Sequence, residues 1–488
     1  MNRARLNSQR PRVSAARNSK KLRKESRFTE DAIALICIVC LTSYLVFDRD
    51  VTSYVPLVFG CCAGIGWMMK VVLGPSLRIS YLTLPAVFLA TYFLLMSVAS
   101  ISVYKQMDHY IKDTYFLAIQ SVLITFPLGV VFANACFDQP NYRISQFARS
   151  RILLTLGDIQ LANFVSKAFW AAIGVAIAYV AYVEFVPILK IFFDFSSEID
   201  DISLRFSVTE VPRVLLFCLA LSRSLVLPLC VLYLFFMSRE GGVSWRHRFY
   251  FVFISSLIIA SLTLERAPPM ALCMMLLFGV ALHSPSGPFG VSALRGYAIV
   301  LSIALLLTGF ISAFQYSSDV NSGDVRAGVE HVVVNRILNA SALAAAWAFE
   351  EFPDTEHQLR GQYVRMFALL SGGEYLESRY APKFVILPVS FVGDLWRNWG
   401  WPAVLIGGCV LGFIFQWIQL TLFYRKNITS SVFQAILMLA CIWLIPGNAF
   451  GIMTTTLIVG TTVFGYFTIK KSLQTQHKKR KHPRLSMA

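Results

Sequence analysis

Apolar residues along the chain fall in runs of about twenty, separated by mostly short polar connections. A helix rises 1.5 Å per residue, so about twenty apolar residues cross a hydrocarbon core of roughly 30 Å. A soluble chain would instead show an amphipathic period, with polar positions returning every turn. The runs predict twelve spans, over 31–47, 54–73, 81–104, 115–136, 168–189, 211–237, 249–265, 268–283, 296–315, 401–423, 431–447 and 452–469. In lipid each backbone polar group must be satisfied within its own segment, so runs of this length predict helices. The pair over 249–283 is interrupted by Glu265-Arg266-Ala267-Pro268-Pro269, and it also reads as one longer broken helix. The predicted fold class is all-α, a polytopic transmembrane helical bundle.

One connection breaks the rule of short loops. Residues 316–400, between spans nine and ten, are far longer than an ordinary link and should carry structure or function of their own. Within them Val329–Phe352 predicts a largely helical segment that Pro353 ends, and Leu359–Leu370 a second helix before Ser371-Gly372-Gly373. The predicted organisation is therefore a tail (1–30), nine spans (31–315), a large extracytoplasmic loop (316–400), three spans (401–469) and a second tail (470–488). No internal repeat is visible, which gives an inverted-repeat transporter no support.

Composition agrees with the spans: 56% of residues are hydrophobic and 15% charged, against about 25% charged in an ordinary soluble domain. The net charge of +17 would suit nucleic acid, but its distribution does not. Ten Lys/Arg lie between Arg3 and Arg27 and seven between Lys470 and Arg484; the 27 that remain face 27 acidic residues in the whole chain. Two basic tails suit the anionic cytoplasmic face of a membrane, and nucleic acid is not an expected partner. With the N-terminus inside, cytoplasmic loops carry Lys70, Arg78, Arg143, Arg149, Arg151, Lys167, Arg239, Arg246, Arg248, Arg295, Arg425 and Lys426. Between spans five and six, on the outside, lie Asp194, Glu198, Asp200, Asp201 and Glu210. Both tails fall inside only with an even number of spans. The leading region lacks a small-residue cleavage site after Phe47, so Ala32–Phe47 reads as a retained span. All ten cysteines lie in or beside apolar runs, which points to packing rather than to disulfides or zinc.

Candidate chemistry is sparse. A Walker loop, a dinucleotide fingerprint, a nucleophile elbow and a His-Glu-x-x-His pair are all absent. What stands out is arginine: Arg326, Arg336, Arg360, Arg365, Arg379 and Arg397 in the long loop, Arg266 at the outer end of span seven, and Arg223 near the middle of span six. Arginine presents a fixed fork of donors that matches phosphate and keeps its charge near a membrane. Each loop arginine equally fits an ordinary surface pair with Glu350, Glu351, Glu356, Glu374 or Glu377, and Arg266 an interfacial anchor. Arg223 is more telling, because a central intramembrane arginine costs roughly 2.5–3.5 kcal/mol on insertion scales and so faces protein or water. It reads either as functional or as one half of an ion pair with Glu184 of span five. Candidate general bases are His331, Glu330 and Asp394.

The stretch Phe391-Val392-Gly393-Asp394-Leu395-Trp396-Arg397-Asn398-Trp399-Gly400-Trp401-Pro402, running into a span with Gly407 and Gly412, resembles the signature of bacterial O-antigen polymerases of the Wzy type. Glu265-Arg266, Asn335-Arg336-Ile337-Leu338 and Phe349-Glu350-Glu351-Phe352-Pro353 are similar to further pieces of that family. Trp396 and Arg397 depart from it, standing where smaller residues are expected between the acid and Asn398. A plainer reading of the stretch is a Gly-terminated loop docked on span ten, with Trp396, Trp399 and Trp401 in an interfacial belt.

The resemblance implies a glycosyltransferase of the bacterial inner membrane with both termini cytoplasmic. It would join undecaprenyl-diphosphate-linked oligosaccharide repeat units into a surface polysaccharide or exopolysaccharide at the outer face. It implies no cofactor and no metal. Its partners would be the lipid-linked oligosaccharides, membrane lipids, a chain-length regulator and other polysaccharide-assembly proteins. Arg266 and Arg336 would take the diphosphate foremost, with Arg223, Arg326 and Arg397 behind them; His331 or Asp394 would serve as the catalytic base. The competing functions are an O-antigen ligase, a polysaccharide flippase or transporter without covalent chemistry, and a non-catalytic scaffold.

Overall fold

The computed structural model describes residues 83–104, 107, 111–137, 156–183, 211–240, 243–263, 267–283, 291–315, 339–352, 390–422 and 428–445. The spans expected at 31–47, 54–73 and 452–469, both tails and the helix expected at Leu359–Leu370 lie outside these residues. Among the described residues all regular structure is helical. Helix α1 runs through Leu84–Tyr92, a π-helical turn at Phe93–Val98 and Ala99–Tyr104. Then follow α2 (Lys112–Phe137) and α3 (Leu156–Tyr182). Helix α4 runs through Arg213–Leu221, a π-helical turn at Ser222–Val226 and Leu227–Glu240. The remaining helices are α5 (Val243–Ser261), α6 (Ala267–His283), α7 (Val291–Gln315), α8 (Ala340–Glu351), α9 (Phe391–Leu422) and α10 (Ile428–Leu444).

Five segments are long and apolar enough to cross a membrane: Leu84–Ile101, Lys112–Phe137, Phe164–Tyr182, Val214–Arg239 and Phe391–Leu420. Pro268–His283, Ala293–Ala304 and Ile428–Leu444 are shorter apolar helices. The outward faces are apolar too. Ile177 is 63% exposed, and Phe132, Phe164 and Leu306 also stand out from the bundle. Rows of this kind aggregate in water and face acyl chains in a bilayer. The protein is a helical membrane protein.

Two packing clusters share one axis. The first gathers α1, α2, α8 and α9, the second α3 through α7, and α10 serves both. Phe433, Leu437, Met438, Cys441 and Leu444 of α10 face the first cluster; Ile428, Val432, Ala435, Ile436 and Leu439 face the second. A helix apolar around its whole circumference belongs at such a centre. The α4–α5 hairpin carries bases beside rings, with Arg239 lying 5.3 Å from the Phe235 centroid and Arg248 5.0 Å from the Trp245 centroid. That mixture suits a membrane–water boundary. Over 249–283 there are two helices, α5 and α6, rather than a single broken one.

The tightest pair is α2 with α9. A Cβ on Gly129 would strike the Cys409 carbonyl, one on Gly412 the Phe126 carbonyl, and one on Gly408 the Thr125 hydroxyl. Lipid gives helices no hydrophobic reason to associate, so close backbone packing at small residues has to supply the attraction, as Gly408-x-x-x-Gly412 does here. Phe88, Phe126 and Phe391 extend the joint, with Phe88 stacked on Phe126 at 4.5 Å and edge-on to Phe391 at 5.7 Å.

Candidate functional site

Helix α9 starts at Phe391, ten residues before the apolar run begins, so the Asp394–Asn398 stretch is helical and not a loop. Ser390 explains the start. Its side chain accepts from the Gly393 N–H at 3.2 Å and its carbonyl from the Asp394 N–H at 2.8 Å. An N-cap serine followed by an acid in the first turn is a strong start signal. The Phe391 N–H finds the Ile445 carbonyl, just past the end of α10, at 3.3 Å. Gly400 then breaks the helix with φ 61° and ψ −145°, a backbone conformation natural to glycine, and Trp401-Pro402 open the second half.

On the first half, Asp394 and Arg397 are one turn apart and wholly buried. Arg397 donates to the same carboxylate oxygen, Oδ1, through Nη2 at 2.7 Å and Nε at 3.0 Å. Asn398, also buried, donates from Nδ2 to the Asp394 carbonyl at 2.6 Å. Three polar residues inside an apolar cluster are thus tied to one another, which is what a low-dielectric surrounding requires of them.

Trp396 points elsewhere. Its indole Nε1–H donates to the Phe352 carbonyl at 2.9 Å, its ring stacks on Phe349 at 4.3 Å, and Trp401 meets it edge-on at 5.8 Å. Trp396 therefore pins α8, the helix of the long connection, against α9; the interfacial belt expected of it does not form, since it is 4% exposed. Tyr115 of α2 holds the same helix by donating to the Ala342 carbonyl at 3.0 Å. Ala342, Ala345 and Phe349 lie fully buried beneath α8. Of the helix expected over Val329–Phe352, the described residues show Ala340–Glu351, with Asn339 its N-cap rather than part of a longer helix and Phe352 its C-cap before Pro353.

Arg223 sits apart from this knot. It is 7% exposed on the π-helical turn of α4, packed among α3, α5 and α6 in the second cluster. A π turn puts an extra residue into the helix and often marks a functional position. The turn in α1 has a structural reason instead: Ser97 on it donates to Gln120 Oε1 at 2.7 Å, and Gln120 Nε2 reaches Ser100 at 3.4 Å. Arg266, Arg326, His331 and Arg336 lie outside the described residues. Among the described residues no three His, Cys, Asp or Glu gather where a metal ion could be held.

Two contributors escaped the sequence reading. Ser390 was legible as an N-cap three residues before Gly393. The docking role of Trp396 was not, because nothing local distinguishes a buried indole from an interfacial one. No protein family, curated protein or solved structure matches this chain.

Proposed function

We propose that the protein polymerises undecaprenyl-diphosphate-linked oligosaccharide repeat units at the outer face of a bacterial inner membrane, as a twelve-span enzyme with both tails cytoplasmic. The observation that supports this reading is a meeting of motifs. Phe349–Phe352 and Asp394–Gly400, two of the separate pieces that resemble the polymerase signature, pack directly on each other through Trp396 across 44 residues of chain. Helix α8 follows in sequence the segment that carries Arg326, His331 and Arg336.

The chemistry follows from the substrates. The bond between the sugar's anomeric carbon and the diphosphate oxygen breaks, a glycosidic bond forms to a hydroxyl of the incoming unit, and that hydroxyl's proton passes to a base. Preorganised arginines stabilise the departing diphosphate. Arg266 and Arg336 lead in this role, with Arg223 and Arg326 in support. His331 or Asp394 receives the proton; Arg397, expected beside Arg223 and Arg326 at the diphosphate, is buried against Asp394 and is read instead as its positioning partner.

Deleting the gene and resolving the cell's surface and lipid-linked glycans on a gel tests the reading. A single repeat unit in place of a ladder is expected, and Arg336→Ala in the full chain should give the same pattern at normal membrane levels. Polymer retained on the lipid would indicate a ligase, and repeat units trapped on the cytoplasmic face a flippase. Either result overturns the proposal.

A further inference from the structure

Lys167 of α3 and Arg248 of α5 are both exposed, and each stands at the head of an exposed apolar row at helical spacing. Trp170, Gly174 and Ile177 follow Lys167; Phe251, Ile254 and Ile258 follow Arg248. The two rows adjoin, with the Phe251 ring 6.0 Å from Phe169 and 6.2 Å from Trp170.

Helix directions put both bases on the same side of that ring contact. The Cys230 thiol of α4 donates to the Val165 carbonyl of α3 at 3.3 Å. The Arg213–Leu221 half of α4 packs on α3 as well, so these two helices run antiparallel. Helices α4 and α5 form a hairpin, with Phe235 5.7 Å from Phe249, so α3 and α5 run parallel. Lys167 and Arg248 each precede the touching rings by three residues, a rise of about 4.5 Å toward the hairpin end.

Their position selects the partner. The apolar stretch of α3 is Phe164–Tyr182, so Lys167 stands one turn inside its boundary, on the flank and not on the water-facing end. Among the described residues neither base has a carboxylate partner. Asp158, in the first turn of α3, and Glu240, the last residue of α4, lie nearer the helix ends. Long basic side chains lay their stems on apolar surface and keep the charge at the boundary. The flank thus offers two cations at headgroup depth above hydrocarbon-compatible rows. A soluble acidic partner could reach the end of the bundle but not the rows beneath; a phospholipid matches both.

We infer that Lys167 and Arg248 together hold the phosphate of an anionic bilayer phospholipid. Its acyl chain lies over Trp170 and Phe251 and past Gly174, where an added Cβ would meet nothing within 4 Å. The Trp245 ring, 5.0 Å from the Arg248 guanidinium, steadies that cation. A zwitterionic headgroup brings its own cation to the phosphate and gains less. This inference depends on the membrane-spanning character of α3 and not on the polymerase reading.

Native mass spectrometry of the full chain in detergent tests it, with palmitoyl-oleoyl phosphatidylglycerol and the matching phosphatidylcholine as probes. Phosphatidylglycerol should bind the tighter. Lys167→Gln and Arg248→Gln should each weaken its binding about fivefold, the effect of one cation at an anionic surface. Arg295→Gln, which removes the same charge from an exposed position on α7, should leave it unchanged. If either glutamine variant fails to fold, Lys167→Met or Arg248→Met removes the charge with a lipid-compatible side chain. Equal binding of the two lipids overturns the inference, as does a loss in Arg295→Gln as large as in the other two. Displacement of the phospholipid by a polyprenyl monophosphate at equal concentration also overturns it, by making the flank a polyprenyl site.

Discussion

Asp394 and Arg397 form a buried ion pair through one carboxylate oxygen, and that coupling makes their roles separable. Removing one partner strands the other as a buried charge, so Asp394→Ala and Arg397→Ala should each cost about 3–5 kcal/mol. Replacing both together, as Asp394→Leu with Arg397→Met, removes the lone buried charge that either single change leaves and should recover part of that loss. Thermal unfolding of the detergent-purified protein measures the stability side. Activity then divides the roles: a double variant that folds but leaves the glycan at a single repeat unit assigns Asp394 to the chemistry. A double variant that restores the ladder makes the pair architectural and leaves His331 as the base.

Glycine and tryptophan decide matters at the scale of elements. Gly412 faces the Phe126 backbone at the α2–α9 joint, whereas an added Cβ at Gly174 of α3 meets nothing within 4 Å. Alanine is the better helix former, by about 1 kcal/mol. Gly174→Ala should therefore be neutral or slightly stabilising, while Gly412→Ala should lose about 1–3 kcal/mol despite its propensity, because a backbone cannot step aside as a side chain does. Paired unfolding curves compare the two. The docking of α8 has its own measure. Trp396→Phe keeps the stack on Phe349 and gives up one hydrogen bond, a loss of about 1 kcal/mol, whereas Trp396→Ala gives up both and should cost about 3–5 kcal/mol. A cysteine at buried Ala345 should resist a membrane-impermeant maleimide in the wild type and react once Trp396 is alanine.

These elements also mark where hydropathy stopped being informative. Most described helices fall close to the apolar runs, since bilayer thickness imposes their length. The start of α9 does not, because Asp394, Arg397 and Asn398 lower the local hydropathy although they neutralise one another once folded. Helix α3 likewise begins at Leu156, well before the expected 168, by taking in Asp158 and Lys167. Nor was the π turn of α1 legible, since it goes with the hydrogen bonds of Ser97 and Ser100 to Gln120 of another helix.

At the scale of the molecule, helix directions carry an argument about crossing number. Thr125 lies by Gly408 and Asn134 bonds to Gln416, so α2 runs parallel to the second half of α9, the half after Gly400. The Leu84 N–H donates to Gln419 and Phe88 meets Phe415 edge-on at 5.5 Å, so α1 runs antiparallel to the second half of α9, while the first half doubles back from Gly400 to bring Leu395 against Gly407. Two parallel spans must be separated by an odd number of crossings. Among the described residues α3 to α7 are five helices and α8 a sixth; on these helices parity is kept if α3 to α7 each cross and α8, 12 residues long and so about 18 Å, does not. In the proposed orientation the connection that carries the arginines is external and the Arg425-Lys426 loop cytoplasmic, as the positive-inside rule expects. Single cysteines near residue 355 should therefore react with an impermeant maleimide in intact spheroplasts, and cysteines at 426 or in either tail only after lysis. Labelling of both sets from the same side would require another crossing between them, and would detach the arginines from the compartment where the proposed reaction takes place.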